Sequence, residues 1–312
     1  MKKTAIIIGV NGQDGKILFD LLLKKNYNLL GIDKNSVRVE GVKWRTKISI
    51  TSPKQIFSLI KKIKPDEVYH LAAFHNSSQD KNQDNLLSLS KSFKINFFSL
   101  AYFLEAIKQY SPKTKIFYAA SSLIFGNSAC GLQNEKSLFN PDSFYGFSKL
   151  DGVLLCRFYR INYGLFASTG IFFNHESEYR KKNFVSRKII QAVIDIKNKK
   201  QKKLEIGNLD AEVDWGYAPD YMEASHRIIA LTAADDFVVA TGIKHSVRDF
   251  VTQAFGYFNL DWKEYVILDK KLLTRKKSVV LGDAGKLTRT TGWKPSVNFN
   301  EMIVKIIKQL DR

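Results

Sequence analysis

The N-terminal segment constrains the fold most strongly, because an apolar run passes directly into three regularly spaced glycines. Residues 5–8 form a continuous apolar stretch that is typical of a buried strand. Gly9, Gly12 and Gly15 follow it, and a helix is predicted over residues 13–25. Glycines in this context permit a tight turn, close approach of backbone N–H groups to a pyrophosphate, and close packing of the helix. The segment therefore predicts a dinucleotide-binding loop.

Apolar segments and helical patterns continue to alternate through the first half of the chain. The further predicted strands are one that ends near residues 31–33 and those at residues 48–50, 67–71, 115–120 and 166–172. The further predicted helices cover residues 54–62 and 96–107 and a segment that contains Tyr145 and Lys149. This alternation predicts an α/β fold of the Rossmann type, a doubly wound parallel sheet covered on both faces.

The alternation ends near residue 173, and polar, basic segments follow. We therefore expect residues 1–172 to form a Rossmann domain that binds NAD or NADP, with parts of residues 214–250 returning to it. Residues 173–213 and 251–312 are expected to form a smaller C-terminal lobe that binds the substrate. A cleft between the two parts is the expected active site.

Composition excludes several other classes of protein. The 312 residues contain no apolar run of the roughly 18 residues that a membrane span needs, so we expect a cytoplasmic chain and no membrane. The net charge of +19 is spread along the sequence without interleaved aromatic residues, so nucleic acid is not the expected partner. Cys130 and Cys156 have no spacing that indicates a disulfide framework or a metal site.

The end of the second predicted strand indicates which cofactor is bound. Asp33 lies 18 residues after Gly15, where a carboxylate would accept hydrogen bonds from the adenosine ribose and repel a 2′-phosphate. NAD is therefore favoured over NADP. Lys34 and Arg38 follow at once and could instead pair with that phosphate, so both cofactors stay open.

Tyr145 and Lys149 are four residues apart, which places them on one face of a helix. An ammonium group beside a phenol favours the tyrosinate, so a tyrosine with an ordinary pKa of about 10 can act as a base near neutral pH. Ser121 follows a predicted strand. Together with the glycine loop, these three residues predict hydride and proton transfer at a sugar hydroxyl.

With these features the chain resembles the extended short-chain dehydrogenase/reductases that act on nucleotide sugars, and within them the GDP-mannose 4,6-dehydratases. The Asn-His-Glu-Ser run that begins at Asn174 is the most specific match. The other segments that carry the narrower resemblance are residues 9–15, 65–69, 184–188, 207–210, 214–218, 240–242 and 292–295.

The resemblance implies a role for individual residues. Ser121 would hydrogen-bond the sugar hydroxyl, Tyr145 would be the base, and Lys149 would hold the nicotinamide ribose and lower the pKa of Tyr145. Asn96 matches an asparagine near the active site. The implied cofactor-binding residues are Gly9, Asn11, Gly12, Gln13, Asp14, Gly15, Asp33, Leu71, Ala72, Ala73, Tyr145 and Lys149. The implied substrate-binding residues are Asn174, Arg187, Lys188, Arg248 and Arg275.

The chain also departs from the family pattern. In the dehydratases a glutamate two residues beyond the catalytic hydroxyl moves the proton for loss of water across C5 and C6, and Leu123 stands there instead. Val213 replaces an arginine that binds the diphosphate, and Lys276 follows Arg275 where an acidic residue is expected. Leucine cannot transfer a proton, so the sequence predicts little or no elimination.

Several functions stay open at this point. The first is a nucleotide-sugar 4,6-dehydratase, with a GDP-linked hexose as the expected substrate. The second is a 4-keto reductase or 4-epimerase, which needs hydride chemistry at C4 only and is favoured by Leu123. A binding protein without turnover and a nucleic-acid-binding protein are weaker alternatives. By resemblance we also expect a homo-oligomer.

Overall fold

The computed structural model describes residues 2–34, 48–75, 85–126, 131–269 and 280–311. The strands in these ranges are β1 Thr4–Ile8, β2 Asn28–Ile32, β3 Glu67–His70, β4 Lys115–Ser121, β5 Gly131–Gln133, β6 Ala167–Phe172, β7 Asn174–Glu176, β8 Leu204–Ile206, β9 Glu212–Tyr217, β10 Asp236–Val239, β11 Lys244–Ser246, β12 Val266–Leu268 and β13 Val280–Gly282. The α-helices are α1 Gln13–Lys24, α2 Pro53–Ile63, α3 Leu86–Ser92, α4 Ser99–Tyr110, α5 Phe144–Tyr163, α6 Val185–Lys197, α7 Ala218–Ala230, α8 Val247–Gly256, α9 Gly285–Thr291 and α10 Phe299–Leu310.

Six strands form the central sheet in the order β10-β6-β4-β3-β1-β2, and every neighbouring pair is parallel. The α/β fold predicted from the alternating pattern is confirmed. Strand β10 comes from the second half of the chain and lies at one edge, beside β6. The carboxyl ends of all six strands therefore meet at one edge of the sheet.

Helices cover the sheet on both faces because alternate residues of each strand point to opposite sides. Ile6 and Ile8 of β1 pack in a core with α2, α4 and α5. Ala5 and Ile7 of the same strand pack in a second core with α1 and α7. Each fully buried isoleucine stabilises this arrangement by about 1.5–3 kcal/mol.

A third core lies in the second half of the chain and is built from α6, α8 and α10 with β8 and β9. Trp215 of β9 stacks on Phe299 of α10, and Phe250 of α8 contacts both rings. A small sheet with the order β11-β9-β7 adjoins this core. Strand β7 begins two residues after β6, so the small sheet starts at the carboxyl edge of the large one.

The strand predicted at residues 48–50 is wrong. Ser49 accepts a hydrogen bond from Thr51 N and donates from its own backbone N–H to Gln55 Oε1. Ser52 is the N-cap of α2, and Pro53 occupies its first turn. The segment therefore serves as the polar entry to α2, because serine and threonine hydroxyls compete with strand pairing for backbone groups.

The helix predicted over residues 96–107 is longer and is irregular at its start. A π-helical segment covers Phe93–Phe98, and regular α4 follows directly. Such segments often occur at functional sites. Among the described residues, no helix combines the length and the apolar character needed to cross a bilayer.

We predict that Asp236→Ala destabilises the fold by about 1–3 kcal/mol, since the partly buried Arg157 would lose its carboxylate partner and Arg160 would keep only Asp235. Asp236 is 3% exposed and accepts hydrogen bonds from Arg157, at 2.5 Å, and Arg160, at 2.8 Å. The matched control is Asp210→Ala, which removes an exposed pair with Arg248 and should cost about 0–1 kcal/mol. Urea unfolding of both variants measures the difference, and equal losses would contradict the prediction.

Candidate active site

The glycine loop lies at the carboxyl end of β1, and at Gly9 and Gly15 it is packed too tightly for a side chain. Gly9 has a φ of +88°, and a Cβ atom there would lie 2.8 Å from the backbone of Ala72. A Cβ atom on Gly15 would lie 2.2 Å from the carbonyl oxygen of Gly9. The loop therefore folds back on the first turn of α1 and touches the segment after β3, where Leu71, Ala72 and Ala73 lie.

Asp33 stands at the end of β2, beside this loop. Its Oδ2 accepts a hydrogen bond from Asn11 N at 3.1 Å. The carboxylate and the backbone of the loop therefore share one corner of the sheet edge. This is the arrangement that the predicted ribose contact requires.

Two loop residues also contact the segment after β6. Gln13 Nε2 donates to the carbonyl oxygen of His175 at 3.1 Å, and Ser177 Oγ donates to Gln13 Oε1 at 3.0 Å. His175 Nε2 lies 3.0 Å from Asp14 Oδ1. These contacts fasten the glycine loop to the Asn-His-Glu-Ser segment.

The pKa values of Asp14 and His175 both shift in the direction that favours their charged forms. Burial opposes both charged forms, but the neighbouring carboxylate raises the pKa of His175 above its ordinary value. Burial acts likewise on Asp14, and the positive charge of His175 outweighs it and lowers the pKa of that carboxyl. His175 Nδ1 donates to the carbonyl oxygen of Phe173 at 2.7 Å, so both ring nitrogens are engaged.

The Ser121, Tyr145 and Lys149 side chains come together where β4 ends and α5 begins. Ser143 caps α5 by accepting from Gly146 N, which fixes the first turn that carries Tyr145. Lys149 is 1% exposed, and its Nζ donates to the carbonyl oxygen of Ala119 at 2.7 Å. The same Nζ lies 5.7 Å from the centre of the Tyr145 ring.

Burial governs the charge of this group. It lowers the pKa of Lys149 to about 7, although Asp14 raises it in part. Burial also raises the pKa of Tyr145, while the hydrogen bond with Ser121 and the positive charge of Arg180 lower it. Arg180 therefore contributes a positive charge that favours the tyrosinate, in addition to the protonated form of Lys149.

Asn96 lies in the π-helical segment and is fully buried. Its Oδ1 accepts from Phe74 N at 2.9 Å, and its Nδ2 donates to Ser148 Oγ at 2.9 Å. Ser148 Oγ in turn donates to the carbonyl oxygen of Tyr145 at 2.9 Å. One amide thus connects the loop after β3 to the helix turn that holds Tyr145.

Four of the five predicted substrate-binding residues lie within the described ranges. Asn174 starts β7 with its side chain exposed, and Arg187 lies buried in α6, where its Nε has no hydrogen-bond partner among the described residues. Lys188 is bonded to the carbonyl oxygen of Glu205. Arg248 forms an ion pair with Asp210 on the surface, and Arg275 lies outside the described residues.

Arg180, His75 and Phe184 also lie at the site, and pattern reasoning assigned no role to them. Phe184 stacks on the His75 ring, and the guanidinium of Arg180 lies 3.8 Å from the Phe184 ring centre. Arg180 also pairs with Glu176 at 3.2 Å. Only their positions in the sequence could have indicated these residues. Arg180 follows the Asn-His-Glu-Ser run by three residues, and His75 follows the apolar segment after β3.

Leu123 lies in a short 3₁₀ helix, Ser122–Ile124, directly after β4. Its backbone N–H donates to Ser121 Oγ at 3.3 Å. Glu135 accepts a hydrogen bond from Val238 N of the edge strand β10 at 2.7 Å. Its carboxylate is therefore held at the edge of the sheet.

Within the described ranges, no cluster of residues suited to a metal ion occurs.

The fold is that of the extended short-chain dehydrogenase/reductases. RMD from Pseudomonas aeruginosa complexed with NADPH superposes with a TM-score of 0.85 at 20% identity, covering 99% of each chain. A Thermus thermophilus UDP-glucose 4-epimerase complex with NAD gives 0.83 at 20% identity, covering 98% of each chain.

Sequence comparison narrows the class. The family model for GDP-mannose 4,6 dehydratase matches residues 6–306. GDP-mannose 4,6 dehydratase 2 of Arabidopsis thaliana is 36% identical, covering 99% of this chain and 87% of the relative. The Vibrio cholerae GDP-mannose 4,6-dehydratase is 30% identical, covering 99% and 94%. The chain belongs to the GDP-mannose 4,6-dehydratase family, and the predicted resemblance is confirmed.

We predict that Gly15→Ala destabilises the protein by about 1–3 kcal/mol, because the added methyl group would overlap the Gly9 carbonyl oxygen. Gly12→Ala is the matched control, since its Cβ atom would lie 3.2 Å from the same oxygen. The free energy of unfolding in urea should fall clearly more for the first variant. The same loss in both would argue against tight packing at Gly15.

Proposed function

We propose that this protein is an NAD(P)-dependent enzyme that performs hydride chemistry at C4 of a nucleotide-linked hexose, with little or no elimination of water. One observation carries the proposal: Ser121, Tyr145 and Lys149 lie together, with Lys149 buried and partly protonated near neutral pH. A leucine accompanies them where the dehydratases have their eliminating glutamate. Family membership favours GDP as the nucleotide.

The residues at the sheet edge fit a dinucleotide cofactor. Gly9, Gly12 and Gly15 would allow a pyrophosphate to approach the backbone N–H groups at the start of α1. Asp33 would hold the adenosine ribose, and Lys149 would hold the nicotinamide ribose through the protons that it does not donate to Ala119. The nicotinamide, when bound, supplies the acceptor and donor of hydride.

The chain's own part in the reaction is proton transfer and orientation. Tyr145 takes the proton from the C4 hydroxyl during oxidation and returns it during reduction. Ser121 orients that hydroxyl and lowers the pKa of the phenol by hydrogen bonding. Arg180 lowers it further through its charge, and Lys149 adds to this effect in its protonated form.

The nucleotide diphosphate would lie along α6. Arg187 is buried in that helix, and its Nε has no hydrogen-bond partner among the described residues. Lys188 follows it directly, and Arg180 precedes the helix in the chain. Guanidinium groups bind phosphate oxygens through paired hydrogen bonds. Asn174, with an exposed side chain at the start of β7, would contact the nucleotide.

We expect the protein to associate as a homo-oligomer through its helices. Helix α5 exposes Phe158 and Ile161, which are 49% and 79% exposed. Exposed apolar side chains on a regular helix favour contact with a second copy. Size-exclusion chromatography with light scattering measures the assembly state.

A C4 reductase or epimerase is the alternative that Leu123 favours. Such an enzyme requires only the hydride acceptor, the base and the orienting hydroxyl. The 4,6-dehydratase reaction requires in addition a group that moves the C5 proton and assists loss of the C6 hydroxyl.

We predict that the protein forms little 4-keto-6-deoxy product from GDP-mannose, because Leu123 cannot transfer the C5 proton. Incubation with GDP-mannose and NAD or NADP, followed by mass spectrometry, measures loss of 18 Da from the sugar nucleotide. The matched variant is Leu123→Glu, which should increase that product. Rapid dehydration by the unaltered protein would refute the interpretation of Leu123.

Tyr145→Phe should lower hydride transfer by about 10²–10⁴-fold, since it removes the base and leaves the ring in place. The control is Tyr163→Phe, at the exposed end of the same helix. Absorbance of the reduced nicotinamide follows both variants with GDP-4-keto-6-deoxymannose. Full activity of the first variant would exclude Tyr145 as the base.

We predict that Asp33→Ala narrows the preference for NAD over NADP by about tenfold, which corresponds to about 1.4 kcal/mol. Loss of the carboxylate removes the repulsion of a 2′-phosphate. Asp20→Ala, on exposed α1 surface, is the control. Dissociation constants for both cofactors, from calorimetry, give the ratio; an unchanged ratio would leave the preference without support from Asp33.

A further inference from the structure

His75 is held against the catalytic tyrosine. Its ring centre lies 4.3 Å from that of Tyr145, with the planes at 64°. It also stacks on Phe184, with centres 5.5 Å apart and planes at 15°. Phe184 is the N-cap of α6, the helix that carries Arg187 and Lys188. His75 therefore lies between the tyrosine and the helix proposed to bind the nucleotide.

The buried amide of Asn96 fixes the loop that carries His75. Asn96 Oδ1 accepts from Phe74 N, and its Nδ2 lies 3.4 Å from the carbonyl oxygen of Phe74. The same amide reaches Ser148, which bonds to the carbonyl oxygen of Tyr145. One side chain therefore holds both Phe74, the residue before His75, and the turn that bears Tyr145. This contact fixes the positions of the His75 and Tyr145 rings relative to each other.

The other ionisable groups around Tyr145 are poorly suited to move a carbon-bound proton. Asp14 is paired with His175, which lowers its pKa. Arg180 retains its proton at any ordinary pH. Lys149 also exchanges protons near neutral pH, but its Nζ is directed to the carbonyl oxygen of Ala119 and lies 5.7 Å from the centre of the Tyr145 ring, whereas the His75 ring centre lies 4.3 Å from it. A neutral imidazole has one ring nitrogen that can accept a proton.

The geometry points to His75 as a second acid–base residue, which transfers a proton at a carbon adjacent to C4 of the sugar. This inference rests on the proposed function, because only a ketone at C4 makes the neighbouring C–H bond acidic. It assigns the protein a proton exchange at the carbon next to the ketone. Loss of the C6 hydroxyl does not belong to this step.

The atoms of the step balance without a further reagent. A neutral ring nitrogen of His75 takes the proton from the carbon, and the C–H electron pair forms a carbon–carbon double bond. The C4 carbonyl electrons move to oxygen, where the hydroxyls of Tyr145 and Ser121 can donate to the enolate. Return of a proton from the imidazolium to the same face of the carbon restores the ketone with its configuration retained, and in D₂O the returned atom is deuterium.

The test supplies the ketone directly, so that it does not depend on oxidation by the enzyme. The protein is incubated with GDP-4-keto-6-deoxymannose in D₂O, and mass spectrometry follows the gain of deuterium beyond the buffer rate. We expect exchange by the unaltered protein, and a fall of about 10²–10⁴-fold in His75→Gln. Hydride transfer to the same ketone should change far less.

Two control variants separate this outcome from general damage. His226→Gln removes a histidine that contacts Tyr27 and Tyr69 and should leave exchange unchanged. Phe184→Leu keeps His75 but removes its stacking partner, and should slow exchange less than His75→Gln. Thermal unfolding confirms that each variant is folded.

Exchange at the unaltered rate in His75→Gln would overturn the assignment, and so would no exchange above the buffer rate in the unaltered protein. Failure of the proposed function would look different. In that case the protein would transfer no hydride to the ketone with either cofactor, whatever happened to the exchange rate.

Discussion

Parallel pairing of the central strands is the constraint on which the site depends. It brings the carboxyl ends of β1, β2, β3 and β4 to one edge, so that residues far apart in the sequence become neighbours. Gly9 is closely packed at this edge, because only a residue without a side chain lets the loop meet the backbone of Ala72. The cofactor loop, Asp33 and Ser121 all take their positions from this edge.

Burial then determines the charge of the lysine beside Tyr145. Lys149 lies in the interior with one carbonyl partner, and desolvation brings its pKa to about 7. The pair of Asp14 and His175 joins the glycine loop to the segment after β6, and the Asp14 carboxylate raises the pKa of Lys149. A contact that holds two parts of the fold together thus also adjusts the charge of Lys149.

Leu123 lies directly after β4, in the short helix that follows Ser121. We propose that it stands where the dehydratases carry their eliminating glutamate, beside a serine, tyrosine and lysine set that remains able to transfer hydride and a proton at C4. The imidazole of His75 contacts the ring of Tyr145, and Asn96 holds the loop that carries His75. We infer an enzyme of C4 hydride chemistry in which proton transfer beside the ketone depends on His75.

The sequence by itself determined the parallel α/β fold, the glycine loop and the Tyr145 and Lys149 pair, because each rests on local periodicity or spacing. It was wrong at residues 48–50, where the Ser49 hydroxyl bonds to Thr51 within the segment that leads into α2, and the segment joins no sheet. Only the tertiary structure decided the neighbours of Tyr145. Arg180 and His75 reach it through contacts with Glu176, Phe184 and the loop held by Asn96, and such contacts between distant segments leave no periodic signal. The charge of Lys149 was likewise a tertiary property, since desolvation depends on what surrounds the side chain in space.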